Sequence, residues 1–423
     1  MSQRFRVFPT NTMFRSTTLV LLTAVVQHCS GQAQITALDS PLFVAQFRNF
    51  RNLAFNFIGT TGDNANKFKT NYRQGKVQPQ FPADAPFFCN TTGMRSPTVP
   101  TSVDALRPGD IDVVGAIGDS LTAGNGAMAT NLLEVFVENK GLSWSIGGQG
   151  TWRQFLTVPN ILKEYNPALY GYPIMDTLST RKASRFNAAE AGGMSQDIPT
   201  MAKNLVKRML SDPKVDIQNH WKLITLLIGG NDFCSNMCYL NPPEKALKYH
   251  EQNLLAVLRI FREYLPRTLV NIVASPNVDI LTQFRGKPQE CVTLHVLECP
   301  CFMATRFASQ RQRYIKIIER WNRLQEDIAN RTEFHSKPDF SVVVQPFISD
   351  LSFPKKPNGD TDFSYMSYDC FHLSQKGYAR SANALWNNMF EPVGRKAHDW
   401  EQEFSRFICP TPEMPYIRTR GNS

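Results

Sequence analysis

The chain has 423 residues, 42% hydrophobic and 19% charged content, and 46 Lys and Arg against 36 Asp and Glu. That apolar content excludes a mostly disordered chain, and the lack of a G-x-y period, heptads or a longer repeat excludes fibrous and solenoid architectures. The length fits one large α/β domain with extensions, or a few small domains.

Residues 1–31 carry Arg4, Arg6 and Arg15 without an acid, then the apolar run Leu19 to Val26, then Ser30 and Gly31. This is the order of a secretory signal peptide. The run is far short of the ~20 residues that a membrane-spanning helix needs. Its continuous apolar core disfavours an amphipathic mitochondrial presequence. Cleavage after Gly31 starts the mature chain near Gln32 and removes three arginines and no acid, lowering the net charge from +10 to +7. It also removes Cys29. Cys89, Cys234, Cys238, Cys291, Cys299, Cys301, Cys370 and Cys409 remain, an even set that predicts disulfides in an exported chain. In such a chain Asn90-Thr91-Thr92 and Asn330-Arg331-Thr332 are glycosylation acceptors. No later apolar run could span a membrane, so a free secreted product is expected. No Lys/Arg cluster forms a nucleic-acid footprint.

Residues 32–108 read as an irregular N-terminal arm, rich in Asn, Gln, Thr and Pro, that wraps in extended form near Pro79–Pro82 and Ser96–Thr101. The α/β pattern begins with the buried strand Ile111–Ile117, and helical spacing follows through Leu132, Leu133, Val135 and Phe136. Arg185–Ala189 is a weaker strand, leading past Gly192-Gly193 into a helix from about Asp197 to Leu210. The clearest strand is Leu223–Ile228. A helix over about Pro243–Tyr264 follows, with Leu247, Leu254, Leu258 and Phe261 at helical spacing. Next come strand Leu269–Ala274, helix Thr305–Ala329, strand Ser341–Val344 and helix Gln375–Met389. Strands alternating with long helices predict a three-layer α/β/α sandwich on a parallel sheet, flavodoxin-like, over residues 109–392, with a tail at 393–423. In such folds function gathers at the carboxyl ends of the strands.

Three of those ends carry candidate chemistry. Gly118-Asp119-Ser120-Leu121 puts a serine at a tight strand-to-helix turn, although Ser after Asp is also an ordinary helix start. Gly229-Gly230-Asn231-Asp232 offers a side-chain amide to a developing oxyanion, although these are also turn residues. In Asp369-Cys370-Phe371-His372 the i, i+3 spacing lets a carboxylate fold back onto the imidazole Nδ1, leaving Nε2 to take a serine proton. Each has a bland reading alone; the order of the three, each at a strand end, reverses that.

Block by block they resemble the SGNH (GDSL) hydrolase family. Asp112–Ala123, Trp144–Gly148, Trp221–Asp232 and Tyr368–Gly377 resemble the catalytic repeat of the membrane-associated phospholipase B family, as do Val99–Val103 and Glu391–Gly394. The likeness runs over roughly residues 85–412. It implies Ser120 as nucleophile, His372 as base and Asp369 as its acid, with Asp232 an alternative acid. It also implies an oxyanion hole from the Ser120 and Gly192 amides and Asn231. Gly192 is placed by the turn in Asn187–Gly192, with Gly193, Gly147 and Gly148 in competition. Better-known members carry several repeats and a membrane anchor; this chain reads as one repeat without an anchor, so anchoring is not carried over.

The reaction so implied is hydrolysis of acyl esters of glycerophospholipids or lysophospholipids at a lipid interface, through an acyl-enzyme. No cofactor is expected, because HExxH, calcium- or zinc-site spacing, G-x-G-x-x-G and the P-loop are all absent. Cys299-Pro300-Cys301 could bind a metal or do redox chemistry, but in an exported chain a disulfide partner for each cysteine is expected. Two other functions remain open, a carbohydrate O-acetylesterase and an inactive lipid-binding relative.

Overall fold

A computed structural model describes residues 41–423, and the segment predicted as a signal peptide lies outside them. Four strands, β1 (Ile111–Gly118), β2 (Trp221–Leu227), β3 (Thr268–Val273) and β4 (Phe340–Gln345), form one parallel sheet in the order β1-β2-β3-β4. The helices of eight residues or more are α1 (Pro41–Ile58), α2 (Ala65–Arg73), α3 (Val158–Tyr165), α4 (Ile198–Ser211), α5 (Lys245–Tyr264), α6 (Gln289–Glu298), α7 (Arg311–Ala329) and α8 (Gln375–Phe390).

The sheet is buried on both faces, which is why its strands read as continuous apolar runs. Alternation sorts the side chains. Ile224, Leu226, Val270, Ile272 and Val342 pack with α4, α5 and α7. Leu223, Leu227, Leu269, Val273 and Val343 pack with α3 and α8. This is the three-layer α/β/α sandwich expected from the sequence. The register aligns the strand ends, pairing Gly118 with Leu227, Leu227 with Val273 and Val273 with Gln345. The loops that follow therefore leave the sheet side by side.

Four expectations need correction. The arm is not irregular throughout. It holds α1 and α2, and Asn64 caps α2 by accepting from the Asn66 and Lys67 amides. Its Asn-rich composition masked both helices. The helical spacing after β1 gives only the single turn Ser120–Ala123, closed by Gly124 in the left-handed region (φ +83°), and a separate 3-10 turn at Leu133–Phe136. The helix read from Thr305 begins at Arg311, after a 3-10 stretch. Arg185–Ala189 is not a regular strand. Tyr170 and Phe186 to Glu190 hydrogen-bond along the outer edge of β1 in two pieces, broken by a loop that ends at Arg185 with φ +49°. A bulky residue held left-handed cannot continue a strand.

All eight cysteines among the described residues are paired, as Cys89–Cys409, Cys234–Cys299, Cys238–Cys301 and Cys291–Cys370. The Cys299-Pro300-Cys301 cysteines have separate partners. Val99–Val103 and Glu391–Gly394 serve packing: the Trp221 indole donates to the Pro100 carbonyl, and Lys396 Nζ donates to the carbonyl of buried Glu391. Asn90 and Asn330 are exposed. No described helix is long and apolar enough to cross a membrane.

Cys89–Cys409 closes a separation of 320 residues and ties the arm to the tail. Replacing both cysteines with serine should lower stability by about 2–5 kcal/mol, read from urea unfolding midpoints. An unchanged midpoint would mean that arm and tail hold without it.

Candidate active site

Asp119 follows β1 directly and caps the one-turn helix by accepting from the Leu121 amide at 2.9 Å. That turn places Ser120 as the first helical residue. Its N–H belongs to the first turn, where no intrahelical acceptor exists. The side chain is mostly covered, with the residue 8% exposed.

The loop before α8 supplies the base. Met366 bridges Leu373, and the Ser367 amide donates to the His372 carbonyl at 2.8 Å, so residues 367–372 form a closed loop. Cys370, at φ +57°, turns the chain so that Asp369 folds back. One Asp369 oxygen accepts from the Phe371 and His372 amides at 3.0 Å each, and the other meets His372 Nδ1 at 2.5 Å. His372 Nε2 then lies 2.9 Å from Ser120 Oγ. The hydroxyl, imidazole and carboxylate form one hydrogen-bonded chain, with Asp369 fully buried and 12% of the His372 side chain exposed. An arrangement of this kind can deprotonate the serine as it attacks.

Asp232 sits elsewhere. Both its oxygens accept from the Ser195 amide, at 3.2 and 3.0 Å, and it makes no bond to His372. Burial raises its pKa well above the usual carboxylate range, with Asp197 and Asp119 adding to the effect. Its geometry is that of a structural carboxyl beneath Asn231.

Asn231 Nδ2 donates to the Gly193 carbonyl at 2.9 Å, which docks the 190–193 turn beside it. Within that turn the Gly193 amide is spent on the Glu190 carbonyl, at 3.1 Å, whereas no described protein group accepts from the Gly192 amide. Gly192 is at φ +75° and exposed, and it is not part of the cleft wall described below. Gly147 and Gly148 pack against Gly141 and Tyr172 and do not line the cleft.

Ser120 and Asn231 open into a cleft with about 850 Å³ of space, open solvent at its mouth included. Its wall comes from three sources. After β3 stand Val278, Ile280, Leu281 and Phe284; after β4, Phe347, Ile348, Leu351 and Phe353; Phe371 and Leu373 flank the histidine, with Leu121, Trp144 and Trp400 completing it. Few polar side chains reach it, namely Asp119, Ser120, Asn231 and Ser381. Sequence reasoning missed the wall residues of the two loops after β3 and β4, and Trp400. Position after a strand end was the available signal for the two loops, and nothing marked Trp400.

The carboxyl groups near His372 act on it in one direction. Burial opposes the imidazolium, but the Asp369 carboxylate, with Glu298 and Asp119 beyond it, raises its pKa from 6.5 to about 9. Burial works against the Asp369 carboxylate too, yet His372 and the loop amides hold it below the usual range. Burial pushes Asp119 up to about 6, against the Leu121 amide and His372.

The profile of the GDSL-like lipase/acylhydrolase family matches residues 114–385. Three curated proteins called "Phospholipase B1, membrane-associated" are similar to this chain. The Homo sapiens protein is 39% identical over 343 residues, 80% of this chain and 23% of that protein. The Mus musculus protein is 35% identical over 366 residues, 84% of this chain and 24% of that protein. The Rattus norvegicus protein is 37% identical over 340 residues, 80% and 23% respectively. The chain thus spans about a quarter of the length of these relatives. Among solved structures it is similar to an acetyl xylan esterase variant from Geobacillus stearothermophilus, at 12% identity and TM-score 0.31 over 66% of this chain and 96% of that one. A phospholipase A1 from Streptomyces albidoflavus gives 16% and 0.25 over 64% and 95%.

The two acids can be separated without turnover. Asp369→Asn removes the charge that raises His372, so the imidazole pKa should fall, read by NMR titration of the ring. Asp232→Asn should leave that titration within a few tenths of a unit. The opposite pattern would make Asp232 the partner.

Proposed function

The chain belongs to the GDSL-like lipase/acylhydrolase family, and on that footing we propose that it is a secreted serine esterase, phospholipase B-like, acting on glycerophospholipids and lysophospholipids. The observation that carries this reading is the Ser120–His372–Asp369 chain facing a cleft walled by long apolar side chains. An acyl chain gains from leaving water for such a wall at roughly 0.8 kcal/mol per buried CH₂. An acetylated sugar would find few hydrogen-bond partners there.

In the proposed cycle Ser120 Oγ attacks the ester carbonyl while His372 Nε2 takes its proton. Asp369 holds the tautomer and steadies the imidazolium. The oxyanion is bound by the Ser120 and Gly192 amides and Asn231 Nδ2. His372 then protonates the departing alcohol as the C–O bond breaks, leaving an acyl-enzyme. Water attacks that ester with His372 again as base, and the serine is restored. Glu298, Asp369 and His372 bring potential ligand atoms within 4.8 Å of one another, but both ring nitrogens are engaged, one by Ser120 and one by Asp369. The cycle therefore uses no metal. Secretion is supported by the leader pattern, the four disulfides and the exposed Asn90 and Asn330 acceptors.

The test incubates the purified mature protein with phosphatidylcholine, lysophosphatidylcholine and an acetylated sugar, with chelator present. Fatty acid should be released in chelator, and Ser120→Ala should abolish release while folding is kept. Acetate release alone would make it a sugar esterase, and no Ser120-dependent turnover would make it a binding protein. Asp369→Asn should cost about 10²–10⁴ in turnover, and Asp232→Asn no more than ~10-fold through misplacement of Asn231. The base must be neutral to accept a proton. A His372 pKa raised from 6.5 to about 9 therefore predicts kcat/KM rising with pH across that interval.

A further inference from the structure

One carboxyl group beside the histidine has no part in the cycle above. Glu298 ends α6, and its carboxyl lies against Asp369, with atoms of Glu298, Asp369 and His372 all within 4.8 Å. Three ties hold α6 to the catalytic loop or its neighbours. Cys291 is bonded to Cys370, His295 Nε2 lies 2.8 Å from the Cys370 carbonyl, and Cys299, the next residue after Glu298, is bonded to Cys234. Ser235 Oγ also donates to the Glu298 carbonyl, at 3.3 Å. These ties hold the Glu298 backbone beside the Asp369 loop.

Resting on the serine-esterase reading, we propose that Glu298 is a positioning residue for the triad, a protonated acid that donates a hydrogen bond to Asp369. Donor supply decides which carboxyl keeps the proton. Asp369 already accepts from two amides and from His372 Nδ1, so its negative charge is well solvated by the protein. Glu298 Oε2 is buried with no donor facing it, and no Lys or Arg is ion-paired with Glu298 among the described residues. Two adjacent carboxyls beside a neutral imidazole do not both ionise, and the proton stays where the charge is least supported. Burial first, then the Asp369 charge, raises Glu298 to about 8, against His372. The protonated carboxyl then has one acceptor at hand, Asp369. This fixes the Asp369 rotamer, and through it the imidazole, while charge develops on His372.

The other charged and titratable groups near this cluster are Asp119 toward His372, Lys76, His295 and buried Tyr378 toward Asp369, and Glu290 and Lys287 around them. None of them gives Glu298 a hydrogen bond or ion pair in the structure. When Glu298 does ionise, the donor is lost and a second negative charge holds the imidazole protonated. The first loosens Asp369, and the second moves the point at which His372 becomes a neutral base to higher pH.

Glu298→Gln keeps a donor and cannot ionise; Glu298→Ala removes the donor. On a phospholipid or lysophospholipid substrate, kcat of the Gln variant should stay within about threefold of wild type and that of the Ala variant should fall about tenfold or more, with KM little changed. The acidic limb of kcat/KM should move to lower pH in the Gln variant, because the ionisable neighbour is gone. Wild-type kcat in Glu298→Ala, a Gln variant as slow as Ala, or an unmoved limb would each overturn the proposal. If the Ala variant does not fold, the Gln variant's kcat and pH profile decide alone. Ser120-dependent turnover indifferent to Glu298 would remove only this proposal, whereas absence of Ser120-dependent turnover would remove the reading beneath it.

Discussion

The in-register end of the parallel sheet is the constraint from which the site follows. Gly118, Leu227, Val273 and Gln345 stand abreast, so the four loops after them share one edge. The first brings Ser120, the second Asn231, and the third and fourth bring most of the apolar wall. A one-residue slip in a strand would exchange its two buried faces and turn Leu226 and Leu227 into each other's cores. Because both faces are apolar, the register depends on shape: Ile224, Leu226, Val270 and Ile272 fit the α4, α5 and α7 side, and Leu223, Leu227, Leu269 and Val273 the α3 and α8 side.

The histidine loop does not belong to the sheet and is positioned by other means. It is closed on itself by the Met366–Leu373 bridge and Ser367–His372 hydrogen bond, and fastened sideways by Cys291–Cys370. Two further disulfides secure the residues beside it, with Cys234–Cys299 and Cys238–Cys301 joining the chain after Asn231 to the chain after Glu298. The covalent ties fall between the strands and not on them.

The sheet, the helices α4, α5, α7 and α8 and the Ser120, Asn231, Asp369 and His372 positions were legible in the sequence for identifiable reasons. Fully buried strands write unbroken β-branched runs, long surface helices write a 3.6-residue period, and an Asp and His three apart can meet locally. What was not legible depended on distant contacts. α1 was passed over in an arm read as irregular, and it is held by Arg48 and Arg51, which pair with Glu190, itself far along the chain. Neither α6 nor Glu298 was singled out in the sequence; it is Cys291–Cys370 that holds α6 against the Asp369 loop. Trp400 enters the cleft from the tail, over a sequence distance that no local pattern encodes. The choice between Asp369 and Asp232 also waited on geometry, since both stand at strand or loop ends.

The proposed cycle requires that His372 make Ser120 nucleophilic. Covalent capture tests it without any assumption about substrate. A fluorophosphonate reacts only with a serine whose neighbouring base and oxyanion donors are in place. Intact-mass and peptide mapping of the treated protein should show one adduct, on the peptide bearing Ser120, absent after His372→Ala. An unlabelled wild type, or a stoichiometric adduct on a different residue, would contradict the account.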